Sequence, residues 1–356
     1  MFKIIQRRKA WFALSLAMVV VSIFAIASWG LKFGIDFTGG TLMEVSIKDI
    51  SLSNQEIKDS LAGLDLGEVS VQPSGQGTVF LKFKTVDETT HQAILTALNK
   101  KSVEKAGTGT NPTVATGTPA EGATGQSPVQ VEAQTAAGGD ATISTEGAAT
   151  IAKAAEKVYV SDKSFESIGP AVGSEQRSSA IWAVLIAVLA IILYISWAFR
   201  KVSHPISSYK YGIVAAVALL HDLLSVVGVF AILGHFWGIE IEITFVAALL
   251  TILGYSVHDT IVVFDRIREN LFRYQSGDFE TTVNNCVNET LIRSINTSFT
   301  VVLILTVMFF FGGASIQYFI LALIVGVISG TYSSIFLASP LLVTWQQFDM
   351  KKKLKK

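Results

Sequence analysis

Six stretches of roughly 20 apolar residues leave this sequence few folds: Trp11–Trp29, Ala180–Phe199, Tyr211–Leu233, Ile243–Phe264, Ile295–Phe311 and Tyr318–Trp345. A bilayer core of about 30 Å is crossed by about 20 residues of helix, so the expected fold is a membrane protein with six transmembrane α-helices. With 50% hydrophobic and only 16% charged residues, the composition excludes an ordinary soluble domain, in which roughly a quarter of residues are charged. The last two stretches share one uncharged run from Ser294 to Phe348, and Gly312-Gly313 inside it predicts a tight hairpin on one membrane face. A net charge of zero gives no electrostatic case for a nucleic-acid partner. The single cysteine, Cys286, excludes a disulfide framework and a cysteine-rich metal site.

Sidedness follows from lysine and arginine in the short loops, which stay on the cytoplasmic side. Positive charge gathers before the first span (Lys3, Arg7, Arg8, Lys9), after the second (Arg200, Lys201, Lys210), after the fourth (Arg266, Arg268, Arg273, Arg293) and at the tail from Lys351. The opposite turns carry Glu240 and Glu242 and no lysine or arginine. Both termini are therefore expected on the cytoplasmic side of the membrane. Residues 1–30 then form the N-terminus and first span, 31–178 an external, periplasmic domain, 179–348 a five-helix bundle and 349–356 a basic cytoplasmic tail. The first span also fits a cleavable signal peptide, with a basic start and Ala25-Ile26-Ala27. Its apolar run exceeds the usual ~7–15 residues of a signal core, and retention is expected; cleavage leaves the sidedness of the other spans unchanged.

The external segment alternates strand and helix patterns. Thr41–Ile47, Val69–Gln72, Val79–Lys84 and Glu156–Ser161 are expected strands, and Asp87–Leu98 a helix. Ser53 with Glu56 three residues on is a capping box that opens another helix. The order β-α-β-β-α-β is that of a small ferredoxin-like α+β domain. Residues 106–152, built from Gly, Ala, Thr, Ser, Pro and Gln without aromatics, leucine, lysine or arginine, are expected to be a disordered insert. No nucleophile elbow, phosphate loop or paired metal ligands occur in the segment.

Chemistry is sought where an ionisable group enters hydrocarbon. Such a placement costs about 2.5–3.5 kcal/mol on insertion scales and usually marks a partner or a water-filled path. His221-Asp222 lies near the middle of the third span, His258-Asp259 near the inner end of the fourth, and Arg293 at the inner start of the fifth. An aspartate beside an arginine is held ionised, and moving the arginine away raises its proton affinity. Asp259 with Arg293, and less strongly Asp222, thus form a candidate proton relay. The same residues also fit a fixed interhelical pair at Asp259–Arg293 and an Asp222 satisfied by a hydroxyl. Two ligands per helix make no convincing metal site, so neither metal nor cofactor is expected. Gly254 with Ser256, and Gly326 with Gly330, are expected to let helices approach closely.

Five blocks in order resemble the SecD/SecF family of bacterial export membrane proteins: Phe33 to Gly40, Ile168-Gly169-Pro170 with Val172-Gly173, His221-Asp222, Gly254 to Thr260 running into Phe264 to Asn270, and Thr290-Leu291 with Arg293-Ser294. The resemblance implies a six-helix half of an RND-type transporter core that works with SecD. It also implies association with the SecYEG channel, functional dependence on SecA, contact with unfolded secretory preproteins and membrane lipids, and use of the proton motive force late in export. It places Asp259 and Arg293 at the positions of proton conduction, and Asp36, Gly39, Gly40, Gly169 and Pro170 at the entry to the external domain. The insert 106–152 is long for the family. Half of a small-molecule exporter of the same superfamily, or a scaffold without ion flux, are the alternatives. None of the three is an enzyme.

Overall fold

The computed structural model describes residues 2–47, 52–73, 77–108, 159–200, 207–273 and 278–354. They fall into a helical unit, residues 1–40 and 168–356, and an α+β unit, residues 41–167. The first span is α1, Arg8–Trp29; after it comes a single turn, α2, Ile35–Thr38.

The α+β unit is built on β1 (Gly40–Ile47), α3 (Asn54–Leu61), β2 (Ser70–Pro73), β3 (Thr78–Phe83), α4 (Glu88–Thr108) and β4 (Val160–Ile168). The sheet order is β2-β3-β1-β4, with β1 antiparallel to β3 from Thr41 opposite Phe83 to Ser46 opposite Thr78. Alternate residues of β1 face one side, so Met43 and Val45 meet Ile57, Leu61, Ile94 and Leu98 of the two helices. Ser53 and Glu56 close the expected capping box, with Oγ accepting from the Glu56 N–H at 3.2 Å and the Ser53 N–H donating to Glu56 at 2.7 Å. Lys105 donates to the same carboxylate at 2.7 Å. These bonds, Lys105 first, pull the Glu56 carboxyl from an ordinary 4.5 to about 2. The final strand starts and ends later than Glu156–Ser161. It lies at a sheet edge with most residues exposed, so its sequence lacks the alternation that marks a half-buried strand. Helix α4 takes in residues 106–108 of the expected insert; 109–152 lie outside the described residues.

The remaining helices are α5 (Pro170–Ala198), α6 (Ser208–Trp237), α7 (Ile243–Arg273), α8 (Phe279–Phe311), α9 (Gln317–Ser333) and α10 (Ser339–Leu354). By length and composition six helices can cross a membrane, the sixth being α9 and α10 together. Helix α5 begins ten residues before the hydropathic stretch because Pro170 sits at its first turn, where no N–H is needed. The α+β unit is correspondingly Thr41–Ser167 rather than 31–178. Helices α7 and α8 overrun the apolar stretches at the basic end, where Arg266 pairs with Glu289 at 2.6 Å and Glu269 at 2.7 Å. The Gly312-Gly313 hairpin forms, with one 3₁₀ turn at Ala314–Ile316. The sixth span contains a π turn at Ser334–Ala338. Pro340 explains it, since proline cannot donate to the carbonyl four residues back and crowds it. Helix α6 is the inner helix, with Tyr211, Val226 and Phe230 fully buried, whereas α5 and α8 turn Trp182, Leu185, Phe299 and Phe310 outward.

Candidate functional site

Helices α6, α7, α8 and α9 bring two carboxylates into one buried polar seam. Asp222 on α6 is 1% exposed and Asp259 on α7 is 7% exposed. Asp222 Oδ2 accepts from Ser256 at 2.6 Å and Ser333 at 2.7 Å, and Oδ1 from Ser329 at 2.8 Å and His221 Nδ1 at 3.0 Å. Asp259 accepts from Ser294 on α8 at 2.6 Å and from Ser334 at 2.9 Å. A hydrogen bond to a charged group contributes about 1.5–3 kcal/mol. Both sets are enough to offset the roughly 2.5–3.5 kcal/mol of placing a carboxylate in a span, with a larger margin at Asp222, which has four donors, than at Asp259, which has two.

Two of the donors have a second acceptor within reach. A serine hydroxyl has one proton to give, and Ser334 can give it to Asp259 or to the Thr331 carbonyl at 3.1 Å. Ser333 likewise has the Gly330 carbonyl at 3.2 Å. If a carboxyl takes up a proton, these hydroxyls can turn to the backbone without being left unpaired. Glycine permits the approach: a Cβ on Gly330 would lie 3.0 Å from the Ser256 Cβ, and one on Gly326 would lie 2.3 Å from Ile252. Gly254, expected to serve the same purpose, has nothing within 4 Å and faces outward.

Arg293 does not reach Asp259 within this chain. Successive helical residues point about 100° apart; Ser294 turns inward to Asp259, so Arg293 is exposed. The expected Asp259–Arg293 pair is thus replaced by a serine contact. His258 is exposed for the same reason, next to buried Asp259. His221 is buried and bonded to Asp222. Among the described residues no group of three or more His, Cys, Asp or Glu converges as a metal site.

At the other end of the helical unit, the blocks around Asp36 and Pro170 come together. Asp36 accepts from the backbone N–H of Ile243 at 2.7 Å and caps α7 from a distant part of the chain. Gly34 N–H donates to the Ile241 carbonyl at 2.9 Å and Ile241 N–H to Lys32 at 2.8 Å. Gly39, at φ 75°, lies where a Cβ would be 2.7 Å from the Pro170 Cα. Gly173 returns the contact, since its Cβ would be 2.9 Å from the Gly39 nitrogen. Gly40 also has positive φ, at 135°, and Gly169 caps α5 ahead of Pro170.

Comparison with known proteins gives this arrangement a family. Residues 148–348 match the C-terminal region of the protein export membrane proteins SecD/SecF, and residues 24–49 match the SecD/SecF GG motif. The SecF translocase subunit of Thermobaculum terrenum is 40% identical over 98% of this chain and 95% of its own length. That of Synechocystis is 34% identical over 97% of this chain and 94% of its own. This chain belongs to the SecD/SecF family, on its SecF side. The crystal structure of SecDF, a translocon-associated membrane protein from Thermus thermophilus, has a TM-score of 0.69 at 26% identity, covering 97% of this chain and 39% of that one. The chain is accordingly a multi-pass membrane protein and an accessory subunit of the Sec protein translocase that works with SecD.

The SecF-type seam contains residues that sequence reading passed over. Ser329 and Ser333, four apart on α9, reach Asp222, and Ser334, the first residue of the π turn, reaches Asp259. Serines at i and i+4 in an apolar span were the available signal, but a span serine usually bonds its own backbone, so the spacing alone does not mark a site.

Proposed function

We propose that this subunit couples the proton motive force to late steps of protein export, with Asp259 as the group that takes up and releases the proton. The observation that carries the reading is the buried Asp259 carboxylate held, among the described residues, by two serine hydroxyls, one with an alternative acceptor. Moving one charge across the membrane releases about 2.3 kcal/mol per 100 mV, enough to bias a change between two packings. Asp222 is the second carboxylate of the relay. Arg293 acts from the outer face of α8, where Asn296, Thr297 and Thr300 are also exposed; α7 presents Thr251, Gly254 and His258 in the same way. A histidine and an arginine facing lipid are costly, so these two faces are assigned to the SecD partner. The motif from Phe33 to Gly40, locked on Gly169 and Pro170, fixes the start of the external domain.

In this reading the protein sits in the bacterial inner membrane with both termini in the cytoplasm and residues 41–167 outside. It acts with the SecYEG channel after SecA, on unfolded preproteins. The test is export of a secretory precursor into inverted vesicles carrying the chain with SecD. With Asp259→Asn the gradient-dependent part is expected to disappear from an assembled complex; wild-type export would instead make the chain a scaffold.

A further inference from the structure

Among the described residues four buried side-chain nitrogen or oxygen atoms have no hydrogen-bond partner, and one of them, His221 Nε2, belongs to the seam. We propose that His221 and Asp222 form a proton-binding site in their own right, additional to Asp259, with the proton carried on the imidazole. The inference rests on the reading of this bundle as proton-coupled, but stands on its own geometry.

Four donors converge on Asp222, the arrangement that suits an ionised carboxylate. Three of them are neutral serine hydroxyls. Among the described residues the only side chain that ion-pairs with Asp222 is His221, with Nδ1 3.0 Å from Oδ1 and the two groups 3% and 1% exposed. The hydrogen bonds hold the carboxylate, and protonated His221 adds an opposite charge directly beside it. The imidazole spends Nδ1–H on Asp222, which leaves Nε2 as the atom where the second proton enters and leaves. Loading forms one N–H bond at Nε2 with a proton from hydronium and leaves water; unloading reverses it, Nδ1–H stays bonded to Asp222, and no electrons move. An unpartnered buried polar atom costs about 1–3 kcal/mol, and a site of proton exchange is one reason to keep it.

The surroundings suit that role. Among the described residues the titratable groups in contact with the imidazole are Asp222 on α6 and Tyr332 on α9, whose ring centroid lies 6.0 Å away. Behind Tyr332, α1 presents neutral Ser15 and the Trp11 carbonyl, both bonded to the phenol. From α7 comes Ser256, bonded to Asp222. Ser225, Ser329 and Tyr332 abut the pair on one side and on the other form the polar edge of a mostly apolar cleft of about 440 Å³ between α1, α6 and α9. Ser333 and Ser334 are adjacent on one chain segment, so the Asp222 and Asp259 sites share a wall.

The experiment uses the full chain, labelled with ¹⁵N-histidine, reconstituted with unlabelled SecD in liposomes. Replacing His91, His204, His235 and His258 by glutamine leaves His221 as the only labelled residue. Its ¹⁵N shifts are expected to report both the imidazolium and the neutral ring across about pH 5 to 9, with the imidazolium lost in Asp222→Asn at a pH where the wild type shows it. His221→Asn, which keeps a donor near Nδ1, is expected to reduce gradient-dependent export roughly tenfold or more while leaving the gradient-independent part intact. A His221 ring in one state across the range, or wild-type export by His221→Asn, overturns the proposal. Full gradient-dependent export by Asp259→Asn instead sinks the assignment of Asp259, and the ¹⁵N spectrum still decides the His221–Asp222 site.

Discussion

The two units of this chain have opposite interiors. The α+β unit buries Met43, Val45, Leu81 and Ile94 and leaves its ion pairs, such as Lys84–Asp65 and Lys101–Glu104, at the surface. The helical unit turns Leu185, Phe299 and Phe310 outward and keeps Asp222, Asp259 and seven serines on α6 to α9 and the π turn among its buried residues. In water, burial of apolar surface drives the first arrangement. Against lipid that drive between helices is absent, and close packing with hydrogen bonding takes its place. A polar seam is therefore compatible with a stable bundle in the second environment, and a proton can be handled there without dismantling a hydrophobic core.

The comparison can be broken first in the α+β unit. Leu81→Ala removes a side chain 1% exposed at the centre of its core and is expected to destabilise that unit by about 2–5 kcal/mol. Calorimetry of the intact protein should show its transition fall while that of the helices holds; a shift of both would deny the units separate cores. Gly330→Leu attacks the other interior, where even a Cβ meets Ser256 at 3.0 Å. Overpacking of this kind costs about 1–3 kcal/mol, read as a lower melting temperature in detergent, and wild-type melting would show that α7 and α9 do not need their close approach. Ser334→Ala removes one hydrogen bond to a charged group, about 1.5–3 kcal/mol. Because it removes one of two donors to Asp259, it is expected to change gradient-dependent export more than melting, whereas a purely structural serine would do the reverse.

The smallest effect concerns acid. Glu56 is held at about 2 by Lys105 and Ser53, and Asp87 at about 2 by Thr90 and Thr89. Carboxyls depressed on folding stabilise the fold fully above their ordinary values, and the contribution fades as pH falls through the folded ones. The α+β transition is thus expected to weaken between about pH 4.5 and 2, less steeply in Ser53→Ala; a transition independent of pH across that window would show these contacts to be idle.

What could be read from sequence divides along the same line. Spans are long and uniformly apolar, so length and hydropathy suffice; the Ser53–Glu56 cap is local, and three residues reveal it. Strand β4 was harder because an edge strand need not alternate, and Ser161 to Lys163 look like a loop. The seam was half legible. Asp222 and Asp259 stand out as charges in apolar runs, but their partners are serines contributed by other helices, and nothing in a serine announces its direction. Arg293 shows the cost of reasoning from depth alone: it reaches the right helix, yet the neighbouring Ser294 faces Asp259. The π turn could have been suspected from Pro340, one residue after Ser339.

The most direct test of the central claim is precursor export by inverted vesicles containing the subunit with SecD, wild type against Asp259→Asn, with and without an imposed proton gradient. The account predicts equal assembly and equal gradient-independent export, with the gradient-stimulated part present only in the wild type. A mutant stimulated as strongly as the wild type would contradict it, and would leave Asp259 as a packing residue of a proton-silent bundle.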